Sequence, residues 1–127
     1  DEDLQKLTGN KTGNNEYRKA VELLRLAGYT REEVGTYVML GFPGQAADDV
    51  KDTIEFIHKC GGAPLLSYFS PIPGTRIWRE AARASPFPIE AEPLFQNNTV
   101  FIRGNKAFVP QTVTELKELA IELRNLP

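Results

Sequence analysis

Apolar residues recur along this chain in two rhythms, one helical and one extended. From near Asn15, a good N-cap with Glu16 in the first turn, Ala20, Val21, Leu23, Leu24 and Ala27 follow the helical period, and Gly28 supplies a C′ position of positive φ. Thr30 and Glu33 form a short capping-box pattern. The run from Gly35 to Gly41 then reads as a strand with little polar alternation. Strands of that kind are covered on both faces, as in parallel sheets. Phe42-Pro43-Gly44 breaks the run, and a helix is predicted from Gln45 to Cys60. Ala47, Val50, Ile54 and Ile57 lie on one face of it, Asp48 and Asp49 in its first turn and Lys59 in its last. Gly61-Gly62 ends it, and a second apolar strand follows over Pro64–Phe69.

The remaining pattern is less regular. Ser70-Pro71-Ile72-Pro73-Gly74-Thr75 predicts a rigid turn, with Thr75 capping a short helix that reaches Arg83. Residues 85–98 are proline-bearing, Thr99–Ile102 reads as a short strand, and Gly104-Asn105 as a turn. A last helix is predicted over Thr112–Arg124. Thr112 and Glu115 form its capping box, and Val113, Leu116, Leu119, Ala120 and Leu123 its apolar stripe.

Two buried-type strands joined by a helix make a βαβ unit with a right-handed crossover. The step from Gly35 to Gly62 is 27 residues, against roughly 31 per unit in a (β/α)₈ barrel. Two such strands cannot cover their own faces and edges. The expected fold is therefore α/β, the C-terminal portion of a larger parallel domain cut inside a loop, and the lack of an initiator Met agrees with an excised piece. The chain divides into a polar arm (1–14), an α-β-α-β-α segment (15–84) and an irregular extension with a C-terminal helix (85–127).

Composition narrows the function classes. With 127 residues, 41% apolar and 25% charged, the chain is an ordinary globular domain or part of one. A formal net charge of −2 argues against a broad basic surface, so no nucleic-acid partner is expected. No apolar run approaches bilayer-spanning length and the acidic N-terminal DEDLQKL has no signal-like core, so neither membrane nor secretion is expected and the protein is placed in the cytoplasm. Cys60 is the single cysteine and His58 the single histidine. Alone they form neither a disulfide nor a tetrahedral metal site, and on a helix they point about 200° apart. Cys60 reads as a half-buried thiol near a helix end.

Ligands of parallel sheets gather at the carboxyl ends of the strands. Two features stand there, Leu40–Gln45 and Ser70–Thr75, each joining a strand end to a helix N-terminus. They read either as tight βα turns or as sites where glycine-permitted backbone approach and free N–H groups receive an anion. A phosphate-ester site at Gly41–Gln45 ranks last, because no Lys or Arg lies in or beside it. Ser67 and Tyr68 read as filling side chains, Trp78 as an outer packing anchor, and Gln96, Asn97 and Asn98 as turn formers or substrate contacts.

At these turns the sequence resembles a known family. Leu24-Arg25-Leu26-Ala27-Gly28-Tyr29, the run Tyr37–Gln45, Asp48-Asp49-Val50 and Ser70–Thr75 look like the late barrel of a radical S-adenosylmethionine (radical SAM) enzyme. The group most similar is the Fe–S oxidoreductases that often carry an upstream cobalamin-binding domain. There a GxPG turn follows the fifth strand and a PxPGT turn the sixth. The resemblance extends through Glu92–Thr99 and covers about residues 15–100. It implies a partial TIM barrel whose parent binds a 4Fe–4S cluster through an upstream CxxxCxxC motif, reductively cleaves S-adenosylmethionine to start radical chemistry, and in some members binds cobalamin. The isolated chain, with Cys60 alone, is expected to be inactive, and its first partner is the remainder of the parent barrel. The resemblance places the cofactor against Val38, Met39, Leu40 and Gly41, with Phe69 and Ser70; Gln45 and Asn97 are the candidate substrate contacts. Gly41 matches the second glycine of the family's GxIxGxxE strand, while Gly44 stands where its acid would be. The competing expectation is a standalone, non-catalytic α/β module that self-associates or binds a protein partner through its uncovered sheet.

Overall fold

The computed structural model describes residues 13–126. The order of elements is helix α1 (Asn14–Leu26), strand β1 (Gly35–Leu40), helix α2 (Ala47–Cys60), strand β2 (Ala63–Tyr68), helix α3 (Trp78–Ala84), a 3₁₀ turn at Pro93–Gln96, helix α4 (Asn98–Phe101), a 3₁₀ turn at Ile102–Gly104 and helix α5 (Pro110–Asn125). β1 and β2 pair in parallel, with Val38 opposite Leu66 and Leu40 opposite Tyr68. The fold is α/β. Among the described residues no helix is long and apolar enough to cross a membrane. The arm expected over residues 1–14 lies outside the described residues apart from Gly13, which precedes α1, and Asn14, which begins it.

The helix ends follow from capping chemistry. α1 begins at Asn14, and its N-cap is Gly13 in place of the expected Asn15: the Gly13 N–H donates to the Glu16 carboxylate at 2.9 Å. It closes with Gly28 at φ +97°, the Gly28 N–H on Arg25 O and the Tyr29 N–H on Leu24 O, which together satisfy the last carbonyls. α2 closes the same way through Gly61 at φ +95°. Arg31 ties this end down, donating to His58 O at 2.8 Å and Gly62 O at 3.2 Å, with His58 Nδ1 2.9 Å away. Thr30 and Glu33 do pair, the carboxylate accepting from the Thr30 N–H (2.7 Å) and Oγ1 (2.8 Å). They close a single turn with no helix behind it.

The core sits on one side of the sheet. Val38 and Leu40 of β1 face Val50, Ile54 and Ile57 of α2 and Leu116 and Ala120 of α5, with Ile102 and Phe108 closing the cluster. Leu40, Val50 and Ile54 are fully buried, each stabilising the fold by about 1.5–3 kcal/mol. The predicted apolar faces of the two long later helices are thus the ones buried. A second cluster joins Phe42, Phe69, Ile77, Ala81, Ile89 and Phe101, with Trp78 half-buried against it. Phe42 and Phe69 ring centroids are 4.5 Å apart, and Phe101 meets Phe69 edge-on at 5.7 Å.

One face of the sheet is left open in this chain, as expected of two strands that cannot cover their own faces: Tyr37 is 76% exposed and Met39 42%, because α2 and α5 both lie on the Val38–Leu40 side. α1 buries Val21 but leaves Leu23 at 67% and Leu26 at 78% exposure. Three other expectations are corrected. Residues 99–102 form no strand. The Asn97 side chain accepts from the Thr99 N–H at 3.0 Å and caps α4, a local bond that overrides the β-propensity of Thr99, Val100 and Ile102. Thr75 caps no helix, since its hydroxyl donates back to Ile72 O at 2.7 Å and α3 starts only at Trp78. The last helix begins at Pro110, whose fixed φ suits a first helical position, and Glu115 accepts from Gln111 at 3.0 Å in place of any Thr112 capping box.

Candidate functional site

The carboxyl ends of both strands open on one end of the sheet, as the parallel pairing requires. β1 runs into Gly41, buried at φ +99°, then Phe42, Pro43 and Gly44 at φ +74°. Only glycine adopts such a backbone without strain. Gln45 holds this turn together. It is the one buried polar side chain among the described residues, 9% exposed. Its Oε1 accepts from the Gly41 N–H (2.9 Å) and the Phe42 N–H (3.2 Å), and its Nε2 donates to Met39 O (3.2 Å). α2 therefore starts at Ala47, after an extended Ala46, later than the expected Gln45.

β2 ends in a second braced turn. The Ser70 hydroxyl donates to Gln96 O at 2.7 Å, and Gln96 Nε2 donates to Ile89 O at 2.9 Å. Gly74 takes φ +82° in the Ile72–Thr75 turn. Residues 93–106 then lie across both strand ends. A Cβ on Gly41 would sit 3.5 Å from Ile102 Cδ1, and Asn105 Nδ2 approaches Gly41 O at 3.5 Å.

The six residues expected to hold the cofactor separate accordingly. The side chains of Val38 and Leu40 point into the core beside α2, so neither faces a ligand at the sheet's open side. Phe69 is packed between Phe42 and Phe101. Gly41 is close to Phe69, but Ile102 occupies the space above it. Ser70 is half-buried with its hydroxyl engaged. Met39 alone presents an exposed side chain on the open face. Of the two expected substrate contacts, Gln45 is inside the turn it braces and Asn97 caps α4 at the surface, its Oδ1 also accepting from Thr99 Oγ1 at 2.6 Å. Tyr68 packs toward the core and α5, whereas Ser67, opposite Met39, lies on the open face. Ile102 and Asn105 form the cover over Gly41, and contacts that distant in sequence leave no periodic signal.

Metal-ligating side chains do not gather at this end. Among the described residues no three His, Cys, Asp or Glu side chains come close enough to hold a metal ion. Cys60, a free thiol, and His58 end α2 at the opposite end of the sheet. The donor set for an iron–sulfur cluster is thus not supplied by these residues. The resolved titration shifts lie elsewhere. Partial burial raises the Tyr17 phenol above its ordinary range, opposed by its 2.7 Å hydrogen bond with Thr36. The Thr30 N–H and hydroxyl hold Glu33 below the usual carboxylate range. Comparison of the chain with protein-family models, with curated proteins and with solved structures gives no match.

Proposed function

We propose that this chain is the late-barrel segment of a radical SAM Fe–S oxidoreductase, supplying two wall strands and their outer helices to a partial TIM barrel. One observation carries the reading: a parallel strand pair has helices on one face only, and leaves Tyr37 and Met39 exposed on the other. A barrel wall has that asymmetry, with helices outside and alternate strand residues lining the interior. The two turns that resemble the family's, Gly41–Gly44 and Pro71–Thr75, both follow strands at the one end where barrel enzymes place their chemistry.

The reading keeps Met39 as a ligand contact and exchanges Val38 and Leu40 for Tyr37 on β1, and Phe69 and Ser70 for Leu65 and Ser67 on β2. Tyr37, Met39, Leu65 and Ser67 share the open face by register, so these side chains, not Val38 and Leu40, line the interior. The cluster cysteines, S-adenosylmethionine cleavage and any cobalamin belong to the parent protein, which we place in the cytoplasm. The part of this chain is to close the barrel and shape its mouth. Gln45 and Ser70 are positioning residues that fix the two strand-end turns.

The test is to produce the chain joined to the coding sequence that precedes it, reconstitute it anaerobically with iron and sulfide, and assay 5′-deoxyadenosine release from S-adenosylmethionine. Cluster formation and release are expected. A complete, folded barrel that binds no cluster would overturn the reading in favour of a non-catalytic module that buries the same face against a partner.

A further inference from the structure

A second site lies on the helix-covered side of the sheet, away from the open face. A groove of ≈ 560 Å³ runs between the end of β2, the 99–109 segment and the first turns of α5. Its apolar wall is formed by Tyr68, Phe108, Val109 and Val113. Its charged members are Arg103, Lys106 and Lys117, and no Asp or Glu among the described residues lines it. Three like charges in one groove run against the chain's net charge of −2. The one described ion pair, Lys59 with Glu55, is elsewhere. Lys117 Nζ instead rests over the Tyr68 ring, 5.1 Å from its centroid, which holds a cation at the groove wall. The 16-residue α5 opens beside the groove through Pro110, with no side-chain cap and no acidic residue in its first turn, so its dipole adds to the positive potential.

We propose that this groove binds a small phosphate monoester with an aromatic or apolar body. Three cations with no facing carboxylate match a dianionic phosphate better than a monocarboxylate. The volume is in the range of small-molecule pockets and leaves room beyond the phosphate for a body against Val109 and Val113. The site is independent of the barrel reading, because its residues face α5 and not the open side of the sheet.

Phenyl phosphate is the probe, titrated into the full chain at low and at physiological salt and followed by backbone amide chemical shifts. Saturable shifts are expected, confined to residues 99–117 and weakening with salt. Lys106→Glu and Lys117→Ala should each weaken binding at least about tenfold, an apparent cost of about 1.4 kcal/mol or more, and Lys59→Ala should leave it unchanged. All three side chains are exposed, so the variants are expected to fold, and their amide spectra check this. The proposal is overturned by an absence of saturable shifts at millimolar probe, or by Lys59→Ala weakening binding as much as Lys117→Ala. Phenol binding as tightly as phenyl phosphate overturns the phosphate half, and inorganic phosphate binding as tightly overturns the apolar half. Binding of a single-stranded oligonucleotide without binding of phenyl phosphate replaces the proposal with a nucleic-acid surface.

Discussion

Replacing Gln45 by leucine tests what the strand-end turn rests on. Leucine keeps most of the buried volume and removes every hydrogen bond that the amide makes. The Gly41 and Phe42 N–H groups, now paired with Oε1 at 2.9 and 3.2 Å, lose their acceptor, and Met39 O loses its bond from Nε2. Each buried N–H left unpaired costs about 1–3 kcal/mol. Local relaxation of the turn, whose Pro43 and Gly44 border a cavity of ≈ 450 Å³, offsets part of that. The net loss expected for Gln45→Leu is about 2–4 kcal/mol, a large share of the ~5–15 kcal/mol available to a domain. Gln45→Glu separates the contributions. A carboxylate still accepts both N–H groups but is buried and faces Met39 O without a proton to give, so its loss at neutral pH should be at least as large as that of Gln45→Leu and should shrink at acid pH, where the protonated carboxyl donates to Met39 O. Urea unfolding at neutral pH, followed by circular dichroism, reads both variants, and an unchanged m value confines the effect to stability. If Gln45→Leu falls within about 0.5 kcal/mol of the parent chain, as an ordinary surface change does, the amide is not a brace and becomes available for a ligand.

Other outcomes follow from the same structure. Ile54→Ala, fully buried in the main cluster, should cost about 2–5 kcal/mol in urea unfolding, whereas a loss under 1 kcal/mol would mean that the site collapses around the smaller residue. Gly62→Ala puts a Cβ 2.6 Å from Tyr17 Oη and 3.2 Å from Ile57 Cγ2. It should cost about 1–3 kcal/mol, and adding Tyr17→Phe should recover part of the loss; strict additivity of the two changes would disprove the clash. Because Glu33 is held below its ordinary range in the folded chain, its contribution to stability is present above the usual glutamate pKa and lost as pH falls through its own lower value. A side-chain NMR titration should show that lowered midpoint, and Thr30→Val should return it toward the ordinary value. Tyr37→Lys, at an exposed position on the open face, should change the chain's own stability by no more than about 0.5 kcal/mol and, if the proposed barrel reading holds, block assembly with the upstream segment in a pull-down.

Much of the scaffold is legible in the sequence because it rests on local periodicity. The stripe Val50, Ile54 and Ile57 and the stripe Leu116 and Ala120 are the buried faces of α2 and α5, and Gly28 and Gly61 end helices where positive φ is needed. What periodicity does not carry is the identity of the covering element. Gly35–Leu40 reads as buried on both sides because Tyr37 and Met39 are apolar, and nothing in the run tells that both covering helices lie on the Val38 side. The misreading of 99–102 has the opposite cause, a single capping bond from Asn97 outweighing three strand-favouring residues. The candidate site is legible as a place but not as a set of contacts. The glycines of 41–44 mark the turn, while the cover from Ile102 and Asn105 comes from about sixty residues away. Gln45 carries no signal that separates a brace from a ligand contact until its partners are seen. The groove cations Arg103, Lys106 and Lys117 are dispersed in sequence and invisible in a net charge of −2.

Membership of a barrel with a cysteine-bound cluster is decided by reading the coding sequence that precedes Asp1. A CxxxCxxC motif just after a first strand, about half a barrel upstream, is expected if Tyr37, Met39, Leu65 and Ser67 line the interior of a radical SAM enzyme. A start codon directly before Asp1 would leave no strands to close the barrel, and the open face would then belong to a module that pairs with another protein.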